Sequence, residues 1–198
     1  LIFIYRLIKK KEDINRFQEK YCIYPIKNFK KTIWFHAVSV GELMSIIPII
    51  NKLEKNKKVK KIIVTSSTTS SAKIFEKQKF KKTIHKFFPL DTNYLTKKFI
   101  KIWKPEVAIF VDSEIWPNMI KNLKKKQIPI ILLNARFTKS SFKKWMILKK
   151  FAKKIFNKIT LALPQNSETK NYLKILGIKN VIFIGNIKYY GHTTNLSQ

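Results

Sequence analysis

TIWFHAVSVGELMSIIPII, residues 32–50, is the stretch of sequence that decides the fold. Its first half is rich in the β-branched and aromatic residues that favour a strand: Ile33, Trp34, Phe35, Val38 and Val40. Its second half repeats apolar residues at helical spacing: Leu43, Ile46, Ile47 and Ile50. Gly41 and Glu42 lie between, so we predict a strand, a tight turn and a helix. Such a turn places the side chain of Glu42 at the carboxyl edge of a sheet, where open α/β folds bind ligands.

The same alternation of strand and helix continues along the chain. Apolar runs predict six further strands, at residues 61–66, 85–90, 106–112, 128–134, 159–164 and 181–184. Helical patterns lie between them, and the helix after Glu42 carries Pro48, which we expect to kink or shorten it. Seven short strands separated by helices predict the α/β class, with a doubly wound, parallel, Rossmann-like sheet. We assign residues 1–31 to a lead-in segment, 32–190 to the Rossmann-like domain and 191–198 to a linker stub or terminus.

Composition excludes several classes of protein. With four glycines in the chain, neither a G-x-G-x-x-G loop nor a Walker A loop is present, which argues against dinucleotide oxidoreductases and P-loop enzymes. The single cysteine, Cys22, excludes an internal disulfide and a cysteine-based zinc site. We interpret Cys22 as a small buried hydrophobic residue. The hydroxyl-rich run at 66–71, SSTTSS, favours helix capping over phosphate binding because it lacks a glycine.

The chain is strongly basic, with 42 basic against 11 acidic residues and a net charge of +31. A charge of this size suggests an anionic partner, either nucleic acid or a membrane surface. Only three of the basic residues are arginine (Arg6, Arg16 and Arg136), and a bias towards A- and T-rich codons explains an excess of lysine equally well. Since nucleic-acid binders more often cluster arginine with exposed aromatics, we expect no nucleic-acid partner.

The first eight residues, LIFIYRLI, are apolar and are followed by Lys9, Lys10 and Lys11. They are too short to span a membrane, which takes roughly 20 residues. Two interpretations stay open: the end of a cytoplasmic membrane anchor under the positive-inside rule, or a short docked helix.

Four motifs in order along the chain carry a resemblance to a known family: HAVSVGE at 36–42, VDSEIWPN at 111–118, LNARF at 133–137 and GNIKY at 185–189. From about Lys11 to Tyr189 the chain resembles the N-terminal, acceptor-side half of 3-deoxy-D-manno-octulosonic acid (Kdo) transferases. These are membrane-associated glycosyltransferases that add Kdo to the lipid A precursor. The resemblance implies a two-domain GT-B enzyme at the cytoplasmic face of the inner membrane, with no metal and no cofactor.

The resemblance also implies partners. The donor, CMP-Kdo, binds mainly in a second, C-terminal domain that lies outside this sequence, and the acceptor is the lipid A precursor, lipid IVA. We therefore expect residues 1–198 alone to be inactive. The residues after Lys188, YYGHTT, depart from the pattern, since an acidic residue and a connection onward are expected there.

Three residues match the family's catalytic positions. Glu42 matches the general base that takes the proton of the acceptor hydroxyl, although by position alone a first-turn glutamate that favours the helix dipole is an equal interpretation. Glu114 matches a residue that stabilises the transition state, and its alternative is a hydrogen-bonding or capping role. Lys188 matches a second residue linked with stabilising the transition state.

Other candidates contact substrate. Arg136 has a planar guanidinium that suits phosphate or carboxylate, so it is a candidate for holding an anionic group of the substrate. The alternative interpretation is a structural salt bridge. Ser39, Gly41 and Ser113 are interpreted as turn or substrate-contact residues, since neither serine has an evident histidine partner. His36, inside the first strand, is more typical of a packed core histidine than of a ligand.

Two wider expectations follow. If the first and fourth strands are neighbours, the carboxylates of Glu42 and Glu114 face one crevice. The basic helix predicted at 142–157 either lies against an anionic membrane or packs its apolar face on the sheet. The alternative function from another class is a non-catalytic, basic, membrane-peripheral or RNA-binding module.

Overall fold

Six strands and seven α-helices follow one another along the part of the chain that the structure describes, with one helix after each strand except β5, which is followed by two. The strands are β1 (Thr32–His36), β2 (Lys61–Ser66), β3 (Thr83–Phe87), β4 (Pro105–Val111), β5 (Ile130–Ala135) and β6 (Leu161–Pro164). The helices are α1 (Val40–Lys55), α2 (Thr69–Glu76), α3 (Asn93–Trp103), α4 (Pro117–Lys125), α5 (Lys139–Ile147), α6 (Lys149–Phe156) and α7 (Ser167–Leu176). A short 3-10 helix, Phe17–Tyr21, precedes β1. The predicted α/β class is confirmed.

The computed structural model describes residues 13–25, 29 and 31–187. The apolar residues 1–8, on which the two interpretations of the N-terminus rest, therefore lie outside the described residues. The chain divides into two compact units, Leu1–Glu106 and Val107–Gln198.

The first unit is built on three parallel strands in the order β3-β2-β1. The side chains of Trp34, Phe35 and Ile63 are at most 1% exposed, which explains why these strands are continuous apolar runs. Helix α1 begins where Ser39 caps it and buries the predicted apolar stripe: Leu43, Ile46, Ile47 and Ile50. Pro48 does not shorten the helix, which continues through this residue to the predicted end at Lys55.

The part of the lead-in segment around the 3-10 helix Phe17–Tyr21 docks on the edge strand β3. Glu19 is buried, and its carboxylate accepts hydrogen bonds from the backbone N–H of Phe87 at 2.9 Å and from the Lys86 ammonium at 2.7 Å. Arg16 bridges the carboxylates of Glu19 and Glu76. Because an unpaired strand edge exposes backbone donors, the Glu19 carboxylate satisfies a group that an edge strand would otherwise present to water.

The second unit contains the parallel strands β4, β5 and β6 in that order. Its core includes Phe110, Leu132, Ala162 and Phe156, all fully buried. The register between β5 and β6 shifts between Leu133 and Ala135, so the pairing is irregular at the carboxyl end of β5.

Two predicted elements in the second unit were wrong. The seventh strand, expected at residues 181–184, is a single parallel bridge between Val181 and Ala162, and the next three side chains, of Ile182, Phe183 and Ile184, are exposed. A strand needs a ladder of paired residues, and here only one pair forms.

The helix expected at 142–157 is two helices, α5 and α6, joined at Leu148, whose backbone (φ −109°, ψ 50°) leaves the helical region. Helix α6 buries Ala152, Ile155 and Phe156, whereas α5 buries none of its described side chains. The change of direction therefore separates a segment packed on the core from a segment at the surface.

Candidate functional site

Glu42 lies in the first turn of α1, just beyond the carboxyl end of β1. Its carboxylate accepts a hydrogen bond from the backbone N–H of Val38 at 2.8 Å and one from the Ser39 hydroxyl at 2.8 Å. The Ser39 oxygen in turn accepts from the backbone N–H of Glu42 at 3.3 Å. This reciprocal arrangement is similar to a capping box, with the carboxylate bonded to the N–H of the residue before the N-cap and to the N-cap hydroxyl.

Side chains at the start of α2 also form hydrogen bonds to the turn before α1. The hydroxyls of Thr68 and Ser71 donate to the carbonyl oxygen of Val38, at 3.4 and 3.2 Å. Thr68 is the N-cap of α2 and accepts from the backbone N–H of Ser71. Capping is therefore what the SSTTSS run does in the structure, and the same hydroxyls hold the segment that carries Glu42.

The structure places Gly41 in the second position of α1 rather than in a tight turn, because the helix begins at Val40. The residue is exposed, and a Cβ atom built on it would meet no described atom within 4 Å. His36 is fully buried, stacks on Phe88 with ring centroids 4.0 Å apart, and approaches the Thr65 hydroxyl at 2.9 Å. It is a packed core histidine, as predicted.

Glu114 lies in the loop between β4 and α4. It is half-buried, and its carboxylate accepts a hydrogen bond from the indole N–H of Trp116 at 2.8 Å. Trp116 is the N-cap residue of α4, and Pro117 occupies the first helical position. The indole contact fixes the carboxylate beside the start of a helix, where a negative charge is favourable.

Two residues that the sequence analysis did not single out join the ends of β4 and β5. The buried side chain of Asn134 donates from Nδ2 to the Asp112 carboxylate at 2.9 Å. Its Oδ1 atom accepts from the backbone N–H of Ile187 at 3.1 Å. Both residues lie inside the quoted motifs, in VDSE and LNAR. Both have a left-handed backbone. The spacing of apolar residues, from which strands and helices are predicted, carries no signal for such a conformation.

Arg136 follows β5 and its side chain is exposed. Within the described residues, no ion pair joins it to a carboxylate, so the alternative of a structural salt bridge finds no partner there. Lys188 lies outside the described residues, and Ile187 is the residue before it. In the same ranges, no cluster of three His, Cys, Asp or Glu side chains is placed to hold a metal ion.

The second unit thus brings Asp112, Glu114, Asn134 and Arg136 to the carboxyl ends of two neighbouring parallel strands. Glu42 and Ser39 stand at the carboxyl end of β1 in the first unit. The expectation that Glu42 and Glu114 face one crevice relates residues of different units and stays a prediction.

Each unit therefore presents a fixed carboxylate beside the start of a helix. A carboxylate offers roughly four lone-pair sites, so capping a helix and accepting a proton from a substrate are compatible. An exposed guanidinium beside such an edge suits an anionic substrate group. The arrangement supports acid–base chemistry on a charged or polar ligand.

Sequence comparison gives the family. Residues 15–190 match the family model described as 3-deoxy-D-manno-octulosonic-acid transferase (kdotransferase). The Kdo transferase of Rickettsia bellii is 36% identical over 199 residues, covering 100% of this chain and 47% of the relative. That of Haemophilus influenzae is 27% identical over 159 residues, covering 79% of this chain and 37% of the relative. The chain spans less than half the length of these relatives.

Comparison with solved structures supports the fold. A UDP-GlcNAc 2-epimerase from Neisseria meningitidis, bound to UDP-GlcNAc, has a TM-score of 0.57 at 12% identity and covers 85% of this chain and 51% of the epimerase. The UDP-N-acetylglucosamine 2-epimerase from R. bellii has a TM-score of 0.54 at 14% identity, covering 82% of this chain and 46% of that one. The matched share of each epimerase, about half, agrees with the N-terminal half of a GT-B fold. Together with the match over residues 15–190, these findings show that the chain belongs to the 3-deoxy-D-manno-octulosonic-acid transferase family.

Proposed function

We propose that this chain is the N-terminal half of an inverting glycosyltransferase that transfers Kdo from CMP-Kdo to the lipid A precursor, lipid IVA, in lipopolysaccharide core biosynthesis. The observation that carries the proposal is the placement of Glu42 in a chain of this family. Its carboxylate accepts hydrogen bonds from the backbone N–H of Val38 and the Ser39 hydroxyl, beyond the carboxyl end of β1.

The chemistry assigns a role to each residue. Inverting transfer needs a base that takes the proton of the acceptor hydroxyl as it attacks the anomeric carbon, and Glu42 is that base. The leaving CMP carries negative charge away, and Glu114 and Lys188 stabilise the charges that develop in the transition state. Ser39, Gly41 and Arg136 contact substrate, with the guanidinium of Arg136 facing an anionic group.

The donor half lies beyond these residues. In this proposal a C-terminal domain binds CMP-Kdo, and residues 1–198 supply the acceptor side and the base. The span of less than half the length of the relatives supports this division.

We also propose that the second unit meets the anionic cytoplasmic face of the inner membrane. None of the helices in the described ranges combines the length and apolar character that crossing a bilayer requires. At the junction of α5 and α6, however, the apolar side chains of Ile147, Leu148 and Phe151 are 81%, 62% and 45% exposed. Lysines surround them on the two helices: Lys143, Lys144, Lys149, Lys150, Lys153 and Lys154. Exposed apolar side chains with a basic surround suit a headgroup interface.

The experiment is a transfer assay on the complete enzyme in which this chain supplies the N-terminal half. Purified enzyme is incubated with CMP-Kdo and lipid IVA, and the lipid is analysed by mass spectrometry. A mass increase of one or more Kdo residues is the expected result.

The alternative class, an RNA-binding module without catalysis, predicts no transfer. It also predicts salt-sensitive RNA binding that a Glu42→Gln variant retains. A different GT-B enzyme would instead transfer another sugar from another donor.

A further inference from the structure

Asn134 has a backbone conformation that residues other than glycine rarely adopt. Its φ is 54°, in the left-handed region, and its side chain is fully buried at the register shift near the end of β5. Asp112, at the end of the neighbouring strand β4, has a φ of 58°. Such conformations are strained for most residues with a side chain and concentrate at functional sites. Asparagine and aspartate tolerate this region better than other non-glycine residues.

Both the nitrogen and the oxygen of the Asn134 side-chain amide form hydrogen bonds. The Nδ2 atom lies 2.9 Å from the Asp112 carboxylate, and the Oδ1 atom lies 3.1 Å from the backbone nitrogen of Ile187. An ionised carboxylate only accepts and a backbone N–H only donates, so a single orientation of the amide satisfies both contacts. Asp112 therefore dictates which end of the amide faces Ile187.

The segment that reaches Ile187 has little other apolar support. After the bridge at Val181, the side chains of Ile182, Phe183 and Ile184 are 56%, 49% and 38% exposed. Gly185, with φ 81°, then turns the backbone. The hydrogen bond to the fully buried Asn134 ties this exposed segment to the rigid ends of two strands.

We propose that Asn134, oriented by Asp112, is a positioning residue: it fixes the backbone at Ile187, the residue before Lys188, and thereby supports catalysis. The consequence for catalysis rests on the proposed function of Lys188, whereas the fixing of Ile187 does not. The proposal explains why the turn at β5 carries an asparagine, since glycine accepts the same φ without strain but offers no amide.

Three variants distinguish the effect of the Asn134 side-chain hydrogen bonds from the effect of the left-handed backbone. Asn134→Gly keeps the left-handed conformation and removes both hydrogen bonds. Asp112→Gly keeps the conformation at its own position and removes the group that orients the amide. Asp112→Asn is the matched control, because its carbonyl oxygen still accepts from Nδ2 of Asn134.

The first measurement is amide hydrogen exchange, resolved by residue, on the 198-residue chain. In Asn134→Gly the exchange rate of the Ile187 amide should rise at least about tenfold, while the amides of β4 and β6 keep theirs. Asp112→Gly should raise it in the same direction, and Asp112→Asn should leave it within about threefold of the parent. Unchanged exchange at Ile187 in both glycine variants overturns the proposal. If Asn134→Gly does not fold, Asp112→Gly set against Asp112→Asn decides alone.

The second measurement is Kdo transfer by the complete enzyme. Asn134→Gly should lower kcat roughly 10- to 100-fold with the KM for the lipid acceptor within about threefold, because losing the tether at Ile187, next to a residue proposed to act in the transition state, affects the transition state more than binding. Asp112→Asn should retain most of kcat. Faster exchange at Ile187 with an unchanged kcat contradicts the proposal. Absence of transfer by the parent enzyme contradicts the proposed function instead, and leaves the exchange result standing.

Discussion

The carboxylate of Glu42 accepts a hydrogen bond from the backbone N–H of Val38 at 2.8 Å, so the residue proposed as the base also caps the first turn of its own helix. The two interpretations weighed from the sequence, base and helix-start glutamate, are thus compatible in one geometry. Fixing a carboxylate in this way reduces the reorganisation needed before it accepts a proton.

In the complete enzyme, we expect Glu42→Gln to lower the rate of transfer by about 10²–10⁴, the usual contribution of a positioned general base. Glutamine keeps a carbonyl oxygen for the N–H of Val38 but accepts no proton, so stability should fall by less than about 1 kcal/mol. Single-turnover transfer and thermal unfolding measure the two effects.

The matched control for this variant is Glu106→Gln. Its carboxylate makes an exposed ion pair with Lys31 at 3.7 Å, and exposed pairs contribute little. Glu54→Gln, on the same helix as Glu42, is a poorer control, since Glu54 accepts hydrogen bonds from the backbone N–H groups of Lys81 and Lys82. A rate within a few-fold of the parent in Glu42→Gln would leave Glu42 as a cap and move the search for the base to Glu114.

The isolated 198-residue chain should fold and transfer no Kdo. Each unit has its own buried core, whereas the proposed donor site belongs to residues beyond this chain. Circular dichroism and cooperative thermal unfolding test the first half, and the assay with CMP-Kdo and lipid IVA tests the second. Measurable transfer by the chain alone would show that it binds the donor itself.

Binding to vesicles that contain acidic lipid should depend on the α5–α6 junction. Replacing Lys143 and Lys144 by glutamine should weaken binding roughly 30-fold, since each lysine near an anionic surface contributes about 1 kcal/mol. Replacing Ile147 and Leu148 by serine should also weaken it, because both side chains are exposed. Ile175→Ser, at an exposed isoleucine of α7 in the same unit, is the control. Binding that does not respond to acidic lipid contradicts the proposal.

The free energy of unfolding should fall as the pH falls below about 6.5, because His85 becomes protonated more easily in the unfolded chain than in the folded chain. Burial, together with the charges of Arg16 and Lys86, lowers the pKa of His85 to about 3, and its ring nitrogens face Arg16 and Ser66. The pKa of His85 is lower in the folded chain than in the unfolded chain, so protonation favours the unfolded chain. The stability that neutral His85 contributes is therefore complete above pH 6.5 and is lost as the pH falls towards 3. The free energy of unfolding should change by up to about 1.4 kcal/mol per pH unit from this group. Urea unfolding at several pH values measures the slope, and His85→Gln should reduce it; equal slopes in both proteins would contradict the assignment.

Cys22 should react slowly with alkylating reagents in the folded chain. Burial raises the pKa of its thiol to about 11, and the sulfur contacts the carbonyl oxygen of Leu95 at 3.4 Å. Since the thiolate is the reactive form, iodoacetamide at pH 8 should modify the native chain at least about 100-fold more slowly than the chain in guanidinium chloride. Similar rates in both conditions would contradict burial of this residue.

The elements that the sequence predicted well are those that depend on local pattern. The strand at Lys61–Ser66 matches its predicted bounds, and the helix after Glu42 ends at the predicted Lys55. Apolar runs become buried strands because both faces of a parallel sheet are covered. Small hydroxyl residues become caps because their oxygens reach the first free N–H groups of a helix. The motif residues Glu42 and Glu114 were likewise found at the ends of strands.

Only the tertiary structure decided what joins these elements. Asn134 contacts Ile187 across 53 positions of sequence, and Glu19 contacts Phe87 across 68. Neither pair leaves a local signal, because a hydrogen bond between distant residues depends on how the chain returns in space. The left-handed backbone at Asp112 and Asn134 is a conformation that these residue types tolerate, but no local pattern of the sequence predicts that they adopt it here. The sequence by itself therefore determined the α/β class, the family motifs and the candidate base, whereas the fold decided which side chains hold the segment before Lys188 in place.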